Sequence, residues 1–473
     1  MKDETIHRRS AARAPRSAAL FGLPAAVYTS TALGQLGRAM AAATLPASKI
    51  PSGYVYLGQF IAHDLSRLDP HQGSVGCVED LIQLRTPALN LENVYGQGFD
   101  DPAIAVDGET GLMQLGRTEG DACAVSTWND LPRRDESIAK IPDDRDDENL
   151  LVAQLHVAFL KLHNLFCSRI RQQGVVDPER LFQAARHQLI LHYQEVVLYD
   201  FLNLFIEPRL WKSVVFDRQS RLWSPSFTRP AQMPVEFAAA AFRFGHSMVR
   251  QHYTLDERLP LVDLQTLFAL TGHGRMGGAG GTVPQSHVID WRLFFPFDRE
   301  HEPRFMNFGM RIDPAVSIKA PGHADPLIAK TLQTGVRCLL PSAQSIVRHL
   351  QAQPDLAIRM LTATELNPEV HVIAGCNVRR SRLLDLVESS HDFARDTPLA
   401  YYLLAEAHVY CDGLRLGPLG GRIVAEVLLA LVASSTPSIM FHQRDERLVQ
   451  ATGRLPGLDR PYLRMSDLLR AIA

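Results

Sequence analysis

Apolar residues recur at Leu151, Val152, Leu155, Phe159, Leu162 and Phe166, the three-to-four spacing of one helix face, and predict a helix over 148–171. The same period predicts helices over 178–205, 235–250, 325–337, 343–352, 397–411, 422–434 and 462–473. Strand-like alternation is confined to short pieces near 287–295. Long Pro- and Gly-rich connections are expected at 70–80, 110–145 and 271–325. No fixed-period repeat interrupts this pattern. The expectation is a mainly α protein with few short strands, built as a single large helical domain behind an N-terminal extension over 1–45. The Gly-rich run over 273–281 follows no strand and precedes no GK[ST], so it reads as a surface loop and not a phosphate-binding turn.

Composition narrows the function classes. With 473 residues and 46% hydrophobic content, core burial is no limitation. The 49 Lys and Arg balance 51 Asp and Glu, for a formal charge of −2, so bulk electrostatics gives no basis for nucleic-acid binding. Small molecules or other proteins are the expected partners. The six cysteines are scattered without a CxxC pair, which disfavours structural zinc, thioredoxin-like chemistry and CxxCH haem attachment. Arg8, Arg9 and Arg16 precede a mildly apolar run broken by Pro24, too weak for a secretory core. No uninterrupted apolar run approaches the roughly 20 residues of a membrane span. The expected location is the cytoplasm rather than the exterior.

Three segments carry candidate chemistry. In GYVYLGQFIAHDL (53–65), Gln59 and His63 stand four apart on one helix face, while Asp64 faces elsewhere and suits a hard cation. A lone histidine on an apolar helix is ordinarily structural. In DDRDDEN (143–149) the acids Asp146, Asp147 and Glu148 read as dipole complementation at a helix start. Arg145, a cation among five acids, reads first as a salt bridge and second as a placed functional group. In EFAAAAFRFGHSMVR (236–250), four alanines allow something large to pack close. Arg243, His246 and Arg250 then make a cationic stripe at i, i+3 and i+7, with imidazole for a haem iron and arginine for a propionate.

Together these segments resemble the animal haem peroxidases of the peroxidase–cyclooxygenase superfamily, especially their bacterial, peroxinectin-like branch. RTPALNLENVYG (85–96) is similar to the family's calcium loop, and LGPLGGRIVAEVLLAL (416–431) to a C-terminal helix of the bacterial branch. The resemblance spans roughly 50 to 435 and implies a peroxidase domain over 46–473, with haem b between distal and proximal helices. It implies that His63 moves a proton on hydrogen peroxide, that Arg145 stabilises the departing oxygen and that Gln59 orders distal water. His246 is implied as the iron ligand, Arg243 as a propionate partner and Glu148 as the one residue able to form a haem ester. Calcium is implied at Asp64, Thr86, the backbone of Ala88, Asn90 and Glu92, with Asn90 replacing a usual Asp. The implied partners are hydrogen peroxide and a small-molecule reductant or halide.

The chain departs from the family pattern at four positions. Ala62 removes a second ester site and Asn149 a sulfonium link. Thr331 and Thr334 stand where an Asn bonded to the proximal imidazole and an Arg are usual, so the imidazole needs another acceptor. Two alternatives follow: a haem-binding sensor or carrier with little turnover, motivated by the two threonines, and a fatty-acid oxygenase, disfavoured because Arg243 occupies the position of the radical-forming Tyr.

Overall fold

The structure is a computed structural model that describes residues 17–44, 47–120, 125–134, 137–223, 232–271, 281–297, 305–316, 318, 326–353, 356, 358–374, 377–442 and 462–473. The basic N-terminus, the Gly-rich 273–281 run up to Gly280, Cys123 and Cys376 lie outside the described residues.

Helices dominate, as the periodicity predicts. They are α1 (Ser30–Ala42), α2 (Gly53–Leu65), α3 (Glu92–Tyr95), α4 (Leu150–Gln172), α5 (Pro178–Glu195), α6 (Leu202–Phe205), α7 (Pro208–Trp211), α8 (Val235–Ala239) and α9 (Leu264–Ala269). The C-terminal half adds α10 (Leu327–Arg337), α11 (Ala343–Gln351), α12 (Leu399–Cys411), α13 (Pro418–Ala433), α14 (Ile439–His442) and α15 (Met465–Arg470). The strands are few and short. The longest pair, Glu369–Ala374 with Asn377–Arg382, is an antiparallel hairpin that also pairs with Ala43–Thr44. No strand forms at 287–295, where the chain makes 3-10 turns at Gln285–His287 and Trp291–Leu293 instead. The turns bury Leu293, Phe294 and Phe295, so the apolar signal there reports packing without pairing.

The centre of the core is α4. Nearly every residue from Leu150 to Leu160 is buried, so this long apolar helix, although able by length and composition to cross a membrane, is a core helix here. Its start lies two residues beyond the periodic signal, because the Asn149 side chain accepts the Val152 N–H and caps it. Helix α5 begins on an Asp177 cap with Pro178 in its first turn, and continues through a π-turn, Val196–Phe201, into α6. Helix α2 packs against α4, with Phe60 stacked on Phe159 at 4.6 Å, and against α3 and the 3-10 segment Ala241–Met248. Helix α1, inside the expected extension, buries Leu33, Leu36 and Met40 and packs on α10.

One predicted helix is broken. The segment over 235–250 is α8, a kink at Ala240 (φ −137°, ψ −70°) and then the 3-10 helix Ala241–Met248. With three residues per turn, Arg243 and His246 eclipse on one face. Arg250 lies beyond the helix and donates to the Phe308 carbonyl, so it leaves the expected stripe.

Two close fits position these elements. At the start of α2, a Cβ on Gly53 would lie 2.5 Å from the Phe294 carbonyl and the Phe295 ring. Gly53→Ala should therefore cost about 1–3 kcal/mol in denaturant unfolding, because a main-chain oxygen cannot step aside. At the start of α13, the buried Glu406 carboxylate accepts the Leu419 and Gly420 N–H groups, and burial pushes its carboxyl up from 4.5 to about 7. A folded-state value above the unfolded one means this stability is complete below pH 4.5 and is lost as pH rises through 7. Glu406→Gln should flatten that fall, which stability measured across pH 4.5 to 8 would reveal.

Candidate active site

Two sets of predicted residues lie on elements that pack together. The first is carried by α2, the 3-10 turn Asp144–Asp147 and the cap of α4. Gln59 donates to Glu148 Oε1 at 3.4 Å and accepts from Asn149 Nδ2 at 3.3 Å. Gln59, Ala62, Arg145 and Glu148 are half-buried, while His63 is 6% exposed. The second set is carried by the 3-10 helix Ala241–Met248, which packs on α2. Arg243 and Arg145 lie close enough for their charges to repel: burial lowers the Arg243 guanidinium, and Arg145 lowers it further.

His63 does not stand as a lone ring on an apolar face. Its Nδ1 lies 2.7 Å from Asp146 Oδ1, and the other oxygen of that carboxylate meets His156 Nδ1 at 2.8 Å and Asn93 Nδ2 at 2.9 Å. Asp146 is 0% exposed. Burial would raise its carboxyl, but the bonds from His156 and His63 outweigh that and hold it below the usual range. An ionised carboxylate only accepts, so both rings present Nδ1–H to it. Asp146 and His156 were not among the predicted site residues. The acidic run read as dipole complementation, but the 3-10 turn rotates Asp143, Asp146 and Asp147 inward.

Arg145 is held closely. Nε and Nη2 grip Asp143, at 2.9 and 2.7 Å, and Nη1 and Nη2 donate to the Ser66 and His63 carbonyls at the end of α2. The salt-bridge reading of this residue holds here, beside the Asp146 carboxylate that meets His63. Asp143, fully buried, also binds Arg85 and Arg67. Burial opposes its ionisation, yet these cations, Arg145 foremost, keep it well below the carboxylate range.

On the opposite side, His246 Nδ1 lies 2.9 Å from Thr331 Oγ1, and Thr331 lies within reach of the Leu327 carbonyl at 3.4 Å. The hydroxyl thus accepts from the imidazole and donates onward. Thr331 occupies the expected place, with the acceptor role the sequence left vacant. Thr334 donates to the Lys330 carbonyl at 2.8 Å, within its own helix. Burial, then repulsion by Arg243, pushes His246 down to about 3, so the ring is neutral at ordinary pH. Arg243 Nε donates to the Ala238 carbonyl.

These residues fit a haem. A neutral imidazole with Nδ1 committed to Thr331 leaves Nε2 as the metal-binding nitrogen. A Cβ built on Gly245, beside His246, would meet nothing within 4 Å, so there is room next to the ring. The half-buried guanidinium of Arg243 suits a carboxylate on the same group.

Two of the calcium candidates, Asp64 and Glu92, meet at the start of α3. Asp64 accepts the Leu91 and Glu92 N–H groups at 3.1 and 2.6 Å. Glu92 accepts the Thr86 N–H and faces Arg85 at 3.7 Å, while Asn90 accepts from the Thr436 N–H. Thr86 is exposed and Ala88 buried. Among the described residues no group of three or more His, Cys, Asp or Glu could hold a metal ion, so a calcium set would rest on Thr86, Asn90 and the Ala88 backbone beside the two acids.

Residues 63–268 match the family model described as animal haem peroxidase. A peroxidase-like protein of Margaritifera margaritifera is 33% identical over 116 residues, 23% of this chain and 14% of that protein. The chorion peroxidase of Aedes aegypti is 34% identical over 114 residues, with the same coverage. The chain thus matches only a small part of the length of these curated relatives. Peroxidase A of Dictyostelium discoideum has the same fold, with a TM-score of 0.63 at 16% identity over 97% of this chain and 92% of that one. A fatty acid alpha-dioxygenase of Arabidopsis thaliana follows, with a TM-score of 0.58 at 13% identity over 91% and 70%. The mainly helical fold is shared with these two proteins. The match to the animal haem peroxidase model covers fewer than half of the chain's residues, and the structural neighbours share its fold.

Thr331→Val keeps the shape and removes the acceptor, leaving a buried imidazole N–H unmet. Unfolding of the haem-free chain should show a loss of about 1–3 kcal/mol, which Thr331→Asn should largely avoid.

Proposed function

We propose that the protein is a haem-dependent peroxidase that reduces hydrogen peroxide and oxidises a small one-electron donor or halide. The observation that carries this reading is His246: a neutral, Thr331-anchored imidazole on a 3-10 helix that packs against α2, the helix of Gln59 and His63. Haem, when bound, supplies the electrons that cleave the peroxide bond. His63 takes a proton from peroxide at its second ring nitrogen and returns it to the departing oxygen. Gln59 orders water, and Arg145, through the carbonyl of His63 and the end of α2, fixes the turn from which it acts on the departing charge. Arg243 holds a propionate. Glu148, half-buried beside Gln59, is the residue for a single haem ester, and freely extractable haem would exclude that bond. The motif at 416–431, which forms the buried α13, supports the bacterial peroxinectin-like branch. Calcium, which the oxygens of Asp64, Thr86, Ala88, Asn90 and Glu92 would suit, is the second cofactor of this reading and would tie α2 to the start of α3.

The carrier alternative loses half its motive, because Thr331 supplies the missing acceptor, while Thr334 stands in place of the Arg and bonds only within its own helix. The oxygenase alternative has a fold neighbour in the alpha-dioxygenases, but Arg243 stands in place of the tyrosine such chemistry needs.

The test is an absorption spectrum of haem-reconstituted protein before and after one equivalent of peroxide. The Soret band should shift at once. His63→Ala should keep haem and slow that shift by about 100-fold or more, and His246→Ala should lose haem or its normal spectrum. Peroxide reacting as fast with His63→Ala as with the wild type would overturn the distal assignment.

A further inference from the structure

The distal imidazole shares one buried carboxylate with a second histidine. Asp146 lies directly after Arg145, in a turn that rotates it wholly inside, and spends one oxygen on His63 and the other on His156 and Asn93. This is more apparatus than a helix start requires, since a dipole-complementing acid works at the surface. The two rings are not equivalent. His63 borders the half-buried region of the site, whereas His156 lies at 0% exposure and its Nε2 is buried without a hydrogen-bond partner in the protein. Beside His156 is a cavity of about 10 Å³, also lined by Val94, Met113, Gln114 and Lys140, room for about one water.

We propose that Asp146 is the positioning residue of the distal base: it fixes His63 as the Nδ1–H tautomer, so that Nε2 is the nitrogen that exchanges a proton with peroxide, and His156 anchors the carboxylate from behind. The proton cycle balances. One proton leaves a peroxide oxygen for Nε2 and is returned to the departing oxygen, while Asp146 keeps its charge and His156 its Nδ1–H. The carboxylate opposite Nδ1 neutralises the imidazolium during the interval, as in other acid–base sites where a carboxylate orients a histidine. The chemistry rests on the peroxidase reading above; the tautomer assignment does not.

The test combines two readouts. Nitrogen NMR of the haem-free full chain reports which ring nitrogen carries the proton, and stopped-flow spectroscopy of the haem-loaded protein separates the peroxide step from the reducing step. In the wild type His63 is expected as a single Nδ1-protonated tautomer. Asp146→Ala should mix the tautomers and slow the peroxide step about 100-fold, leaving the reducing step unchanged. Asp146→Asn, close in size, decides the matter even where the alanine variant does not fold. Its oxygen should stay with the two donors His156 and Asn93, which turns its NH₂ to His63, forces that ring to the Nε2-protonated tautomer and slows the peroxide step as the alanine variant does.

A His63 tautomer unchanged in Asp146→Ala or in Asp146→Asn would overturn the assignment. A wild type that shows the Asp146-dependent tautomer yet ignores peroxide would overturn the peroxidase reading instead, and with it the catalytic half of this proposal.

Discussion

Two ionised carboxylates inside the protein set the terms for everything near the site. Moving Asp143 and Asp146 out of water is costly unless each oxygen is met by a donor or a cation. The short turn between them therefore dictates its surroundings: Arg67, Arg85 and Arg145 gather on Asp143, and His63, His156 and Asn93 on Asp146. Through those partners the turn touches α2, the loop before α3 and α4 at once. Arg145 closes the circuit by bonding the last carbonyls of α2. The distal helix is held where it is by charge pairing as much as by apolar contact.

The opposite side is built on different physics. The segment after the Ala240 kink is a 3-10 helix, which places Arg243 and His246 in register on one face. A hydroxyl from α10 then does for the imidazole what an amide does elsewhere. Thr331 also leans on the Leu327 carbonyl, so it passes the interaction into the backbone of its own helix. The proximal ring is thereby tied to α10, which also packs on α1 and α12.

Helices with a continuous apolar face were legible in the sequence. Helices α4, α5, α10, α11 and α12 lie within a few residues of the periodic signal, because burial of one stripe is what both periodicity and packing record. The Ala240 kink was not legible, since four alanines suit a helix and nothing local breaks one. The apolar run near 287–295 misled for a related reason: Phe294 and Phe295 are buried in turns that pair with no strand. In the site, Gln59 and His63 could be placed from their spacing, and Thr331 from its distance to Pro341. Asp146 could not. Whether an acid at a helix start faces water or the interior depends on a turn geometry that carries no composition signature, and His156 had no visible reason to meet it ten residues away. Asp64 and Glu92, with the right chemistry for a cation, do meet at the start of α3, where backbone N–H groups and Arg85 reach them as well.

The three arginines converging on Asp143 also constrain how this chain can change over generations. Residues sharing one buried partner are energetically coupled, so the cost of replacing any of them depends on what the other two have become. Loss of Arg67 leaves a carboxylate still doubly paired; the same loss after Arg85 has gone would strand it against Arg145 alone. Substitutions here are therefore tolerated in some orders and not in others. This corner of the molecule should drift slowly and by correlated steps, even though Arg67 and Arg85 touch no substrate.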